Sequence, residues 1–159
     1  MTLMQVIKRL EDVALAQPPV KQIIENDAYR LNGLPDAKYG VFAFTQGRHT
    51  ASLGSSQLYY TFTLMYIDRL TESHDNEIYV QSTGVTVLDN ICRTLALEWD
   101  ITDWAIQTFT QRFLDDCAGA YVEVRIGVPV EYGGTCEEDF SDTGWGGDPE
   151  PEPEEPVEP

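Results

Sequence analysis

Cations and cysteines are the scarce residues of this chain. Ten Lys and Arg stand against 27 Asp and Glu among 159 residues, a formal charge of −17 and a sequence pI near 4.2. That balance excludes tight clamping of DNA or RNA, because phosphate contacts need clustered cations that release counterions. An anionic membrane surface is disfavoured on the same ground. The three cysteines, Cys92, Cys117 and Cys136, form no CxxC pair, so neither a disulfide framework nor a four-ligand zinc site is suggested. Free thiols in a reducing compartment are the simpler reading. No run approaches a membrane-spanning length, and Lys8, Arg9, Glu11 and Asp12 interrupt the N-terminal apolar pattern, so no signal peptide or membrane partner is expected and synthesis in the cytoplasm follows. What is present is 42% hydrophobic and 11% aromatic residues, enough to bury the core of one domain but not of two.

Charge is unevenly spread. Residues 131–159 hold eleven acids and no base, whereas residues 1–130 hold 16 acids against ten bases, a balance of −6. The division predicts a folded domain over 1–130 and an acidic, Pro/Gly-rich tail over 131–159, which has no periodic apolar face and is expected to be extended and mobile. Past Tyr132 at its start, its aromatics are Phe140 and Trp145. They are candidates for docking the tail on a neighbouring surface, with a solvated linker as the alternative.

Leu3, Val6, Ile7, Leu10, Val13 and Ala14 recur at three- and four-residue steps, which predicts an amphipathic helix closed by Pro18 and Pro19. Turn formers dominate residues 20–39, although Val20, Ile23, Ile24 and Leu31 could pin the connection or make a short strand. Residues 41–50 and 58–70 have strand composition, joined by a loop at 51–56. In the second of these, Leu58, Tyr60, Phe62, Leu64 and Tyr66 share one face and Tyr59, Thr61, Thr63, Met65 and Ile67 the other. Both faces are partly apolar, so a covering partner is expected on each. Residues 76–99 change to helical spacing through Ile78, Val85, Leu88, Cys92, Leu95 and Trp99, and Gly84 moves the expected start towards 81–85. Residues 105–114 and 120–130 then read as a β-hairpin around 115–119, with Tyr121, Glu123 and Arg125 on one face. The order α-β-β-α-β-β, with antiparallel strand pairs, predicts a two-layer α+β domain with both helices on one sheet face. The other face is left for water or another copy.

Chemical motifs are sparse. His49 and His74 are the only histidines, and neither has a ligand partner at metal-binding spacing. Asp68, Glu77 and Asp89 could be imagined as a magnesium-binding carboxylate cluster, but no lysine follows at short spacing to steady a developing charge. Nucleophile-elbow and phosphate-loop motifs do not occur. No cofactor, metal or catalytic residue is expected, and the chain is read as a non-enzyme. In Tyr66-Ile67-Asp68-Arg69-Leu70-Thr71, adjacent Asp68 and Arg69 point to opposite strand faces and must find separate partners. Those partners lie either in a strand-end salt bridge within the domain or in bridges between subunits. Tyr66, Asp68, Arg69 and Arg125 are accordingly the candidate interface residues.

The helix, the strand Tyr39-Gly40-Val41-Phe42-Ala43-Phe44-Thr45-Gln46, the strand at 57–70, the helix at 82–98 and the hairpin at 105–130 together resemble the tail-terminator and neck-ring proteins of tailed bacteriophages. The phrase from Tyr66 to Thr71, followed by Asn76-Glu77-Ile78 and Gln81-Ser82-Thr83-Gly84-Val85, is similar to versions in phages of gut Bacteroidales, including crAss-like phages. The resemblance covers residues 3–130 and leaves the tail outside. It implies a virion structural protein, made in the bacterial cytoplasm and residing in the neck or tail. Copies would form a sixfold or twelvefold ring beside portal, adaptor or tail proteins, with genomic DNA only as passing cargo. Two other classes stay open: an acidic DNA-mimic inhibitor and a magnesium-dependent nuclease.

Overall fold

The computed structural model describes residues 1–25, 28–33, 36–51, 56–112 and 115–130. The tail, with Phe140 and Trp145, lies outside the described residues, as do the centres of the 51–56 loop and of the β4–β5 turn. Helix α1, Leu3–Leu15, opens with a capping box in which Gln5 N donates to Thr2 Oγ1 and Thr2 N donates to Gln5 Oε1. It buries Val6, Ile7, Leu10, Val13 and Ala14, the stripe its spacing predicts. Strand β1, Gln22–Glu25, and a 3-10 turn, Ala28–Gly33, occupy the connection. Then follow β2 (Val41–Ala51), β3 (Gln57–Arg69), helix α2 (Glu77–Ala96), β4 (Ile106–Arg112) and β5 (Asp116–Pro129).

One five-stranded sheet has the order β1-β2-β3-β5-β4. All pairs are antiparallel except β1 with β2, which run parallel from Gln22 opposite Val41 to Glu25 opposite Phe44. The α+β class and the single helical layer agree with expectation, and the parallel edge strand is an addition to the predicted order. On the helix side, Phe42, Phe44, Phe62, Leu64, Tyr66, Val122, Val124 and Ile126 meet Leu10, Leu88, Ile91 and Leu95 in one core.

Three local expectations are corrected. Helix α2 starts at Glu77, not near 81–85, and Gly84 lies inside it, facing the sheet. A Cβ there would stand 3.0 Å from Ala120 N and 3.2 Å from Tyr66 Cδ1, so glycine lets the helix lie close on β5 and β3. Ile78, assigned to the buried stripe, is 82% exposed. At about 100° per residue it sits roughly a quarter turn away from Leu88. The hairpin turn is also shorter than expected, since Asp116, Cys117, Ala118 and Gly119 already pair with β3 and β4.

The second sheet face is covered differently from expectation. Its apolar residues Val41, Ala43, Ile67 and Cys117 are buried with Ile24 of the edge strand β1 and by Ala28 and Leu31 of the 3-10 turn that follows it, with Tyr39 packed alongside. Beyond that plug the face turns polar through Thr45, Thr61, Thr63, Gln107, Glu123 and Arg125. No large apolar side chain stands exposed on it among the described residues.

Candidate interaction surfaces

The strand-end phrase folds in on itself. Arg69 bridges Asp115 at 3.2 Å and lies 6.0 Å from the Tyr39 ring centroid, while the Tyr39 hydroxyl donates to Asp115 Oδ2 at 2.7 Å. Asp68 accepts from Arg69 N at 2.8 Å and from the Tyr66 hydroxyl at 3.3 Å. Asp68 and Arg69 thus find separate partners, as strand geometry requires, and Arg69 makes the intradomain bridge. Tyr66 is a correction: it is 1% exposed beneath α2 and cannot touch a neighbouring copy. The adjoining loop is held by Asn76, whose Oδ1 accepts from Thr71 N at 3.0 Å and whose Nδ2 donates to Arg69 O at 3.2 Å.

Arg125 lies on the polar second face, its guanidinium 3.9 Å from the Tyr59 ring centroid. Tyr59 in turn has its hydroxyl 2.6 Å from Gln57 Oε1 and 3.2 Å from Asp100 Oδ2. This stack orients a cation towards solvent, an arrangement worth about 0.5–1 kcal/mol at an exposed site. Arg125 therefore remains available on the surface, whereas Arg69 is largely engaged within the domain.

The apolar surface that sequence reasoning missed is on the helices. Met4, Leu15, Ile78, Tyr79 and Leu97 are between 55% and 87% exposed. Ile78 and Tyr79 lie off the face of α2 that carries Val80, Gly84, Val87, Leu88, Ile91, Cys92 and Leu95 inward. Another contact centre is Trp104, whose Nε1 donates to Asp89 Oδ1 at 3.1 Å while Arg93 Nε donates to Asp89 Oδ2 at 2.7 Å. The Arg93 hydrogen bond, and secondarily that of Trp104, holds the Asp89 carboxyl below the usual carboxylate range.

Asp68, Glu77 and Asp89 are not brought together. Glu77 accepts from Thr110 Oγ1, Asp68 serves Tyr66, and Asp89 serves Arg93 and Trp104. Glu77 and Asp89 are twelve residues apart on one helix, about 18 Å. Among the described residues no group of three His, Cys, Asp or Glu is placed to hold a metal ion. Likewise, none of their helices is long and apolar enough to cross a membrane.

The buried titratable groups predict an alkaline limit. Burial pushes the Cys92 thiol up to about 12, with Asp89 adding to it. Burial also pushes Cys117 up to about 11, partly offset by the nearby Tyr39 hydroxyl and reinforced by Asp115, Asp68 and Asp116. Burial, then the Asp68 carboxylate, raises the Tyr66 phenol as well. Each group is neutral when folded and ionises more readily when unfolded. Their contribution is complete below pH 9, the ordinary thiol value, and is lost as pH rises towards 11–12. Melting temperature should fall steadily from pH 9 to 11, and Cys92→Ala should flatten that slope in a calorimetric pH series.

No family model matches the chain, and no curated protein is significantly similar to it.

Proposed function

We propose that this chain is a structural subunit of a tailed-phage neck, one copy in a sixfold or twelvefold ring that joins portal or adaptor to tail and lets the genome pass. The observation that supports it most is the outer surface of the helical layer, where Ile78 and Tyr79 on α2 and Leu97 at its C-cap stand 82%, 75% and 87% exposed and Met4 stands 72% exposed on α1. Ile78 and Tyr79 adjoin at the start of α2, and an exposed apolar patch is what a subunit offers to its neighbours. A head-to-tail contact between identical copies closes into a ring when its rotation closes. The interface is thereby assigned to the helices, not to the second sheet face, whose apolar part the chain covers itself.

Two further features support the reading. Residues 3–130 hold the helices and antiparallel strands that the phage resemblance implies, and their balance of −6 repels phosphate instead of gripping it. A DNA mimic would need carboxylates fixed and free on a rigid surface. On this domain Asp89, Glu98, Asp115 and Asp116 are instead engaged by Arg93, Arg9, Arg69 and His74.

Light scattering after size exclusion tests self-assembly. The wild-type chain should run at a multiple of 17.9 kDa. The double variant Ile78→Asp, Leu97→Asp should dissociate about tenfold or more readily, as loss of a buried apolar anchor does, while its circular dichroism keeps the wild-type form because both side chains are exposed on the single chain. A wild-type chain at monomer mass at every concentration, or a variant that assembles equally well, would contradict the helical interface.

A further inference from the structure

The sheet ends in two edges, β1 and β4. Strand β1 is four residues long and closes on the charged Glu25, which guards it against pairing with another chain. Strand β4 has no such guard. It runs seven residues, carries neither a charge nor a proline from Ile106 to Gln111, and keeps an unbroken register with β5 from Ile106 opposite Val122 to Arg112 opposite Asp116. Among the described residues no strand pairs with its outer side.

The main chain of that edge alternates in a fixed phase. Leu70 N donates to Asp116 O and Val130 N to Ser56 O, each at 2.8 Å, so the even-numbered residues of β5 turn their main chain towards β3. The odd-numbered ones turn away from β3, and Gly127 accordingly exchanges hydrogen bonds with Asp100 at 2.9 and 3.0 Å. Gln107 and Phe109, opposite Tyr121 and Gly119, are therefore the β4 residues bonded to β5. Ile106, Thr108, Thr110 and Arg112 aim their N–H and C=O groups outward. Helix α2 steadies this edge from one side, where Gln81 Nε2 donates to Thr110 Oγ1 at 3.1 Å and Thr110 Oγ1 donates to Glu77 Oε1.

The sequence of the edge says what it accepts. Gln107-Thr108-Phe109-Thr110-Gln111 reads the same in both directions. Antiparallel pairing centred on Phe109 sets Thr108 of each copy opposite Thr110 of the other, in the phase where both turn outward and exchange two hydrogen bonds per pair. A shift of one residue would set outward amides against residues that turn inward. Phe109 meets its own symmetry mate at the closer, non-bonded position, and aromatic pairs across strands are favourable. Phe109 already lies beside Tyr121, with ring centroids 6.4 Å apart, so the pairing continues an aromatic row from one copy into the next.

We propose that two copies of the free chain pair edge to edge through β4, antiparallel about Phe109, so that their sheets run on as one. The contact goes beyond the ring reading and does not rest on it. It is two-fold and closes on itself, and it uses the main chain of one strand, whereas the ring contact runs head to tail through side chains of the helices.

Amide hydrogen exchange on the full-length chain, read residue by residue by NMR in concentrated and in dilute solution, tests the pairing. The Thr108 and Thr110 amides should exchange at least about tenfold more slowly in the concentrated sample, while Phe109, bonded to Gly119, should be protected equally in both. Thr108→Pro removes an outward N–H that β5 does not use, so the fold should stand and the concentration-dependent protection of Thr110 should be lost. Should that variant fail to fold, the exposed Thr108 side chain allows a test by charge. Thr108→Glu would face Thr110 and the adjoining Glu77 of the second copy and should weaken pairing roughly fivefold, whereas Thr108→Lys should not. Three results would overturn the proposal: Thr108 and Thr110 amides that exchange freely at every concentration, amides protected equally at every concentration as a strand of the same chain would make them, or protection that survives both Thr108→Pro and Thr108→Glu.

Discussion

Phe62→Ala should remove about 3–5 kcal/mol of folding free energy, a large part of what a domain of this size possesses. Phe62 is fully buried on β3, the sheet's central strand, and lies edge-on to Phe44 with ring centroids 6.3 Å apart. It sits where the strand core meets the helical layer, with Val124 opposite it on β5. Truncation loses both the transfer free energy of the ring and the contacts of every atom around it, since five paired strands cannot collapse into the space. Urea denaturation followed by circular dichroism should show the midpoint falling with little change in slope. A loss under 1 kcal/mol would mean that this core is far looser than its burial indicates.

Gly119→Ala should be nearly as damaging, at about 3 kcal/mol, although it adds a single methyl group. A Cβ at Gly119 would lie 1.8 Å from Tyr66 O and 3.2 Å from Phe109 Cε1. The first of these is main chain on the neighbouring strand, so no rotamer change relieves it. Strands β3 and β5 would have to part along a register that runs from Gln57 opposite Pro129 to Arg69 opposite Cys117. Tyr66 would be pushed from the core with them. The same denaturation measurement checks this, and a variant as stable as wild type would contradict the close strand approach.

That glycine shows where the sequence was legible and where it was not. Helix α1 and strand β3 were readable because their patterns are local: three- and four-residue steps in one, a run of β-branched and aromatic residues in the other. The Asp116–Gly119 stretch looked like a turn because small residues favour turns. Here they are small because β5 is squeezed between β3 and β4 and lies under Gly84 of α2. Gly84 itself weakens a helix in isolation, and its reason for being there lies on another strand. Strand β1 is four residues long and pairs in parallel with β2, so its stability comes from a non-local partner.

The candidate surfaces were less legible still. Ile24, Ala28 and Leu31 are scattered among turn formers, and nothing in their spacing announces that they plug the second sheet face. The two-sided character of β3 was read correctly, but its resolution within the chain was a tertiary matter. Asp68 and Arg69 were rightly expected to part. Asp115, the partner Arg69 found, is 46 residues downstream and carries no local sign of the pairing. Exposure of Ile78 and Leu97 follows from how α2 is rolled on the sheet, with Val80, Gly84, Val87, Leu88, Ile91 and Leu95 facing inward.

The central claim is that copies of this chain form the neck ring of a phage particle through their helices. Averaged electron cryomicroscopy of purified particles at the junction between portal and tail tests it most directly. The account predicts an annulus of six or twelve copies in which Ile78 and Leu97 lie between neighbouring subunits. Complete particles whose neck contains no copy of this chain would contradict it.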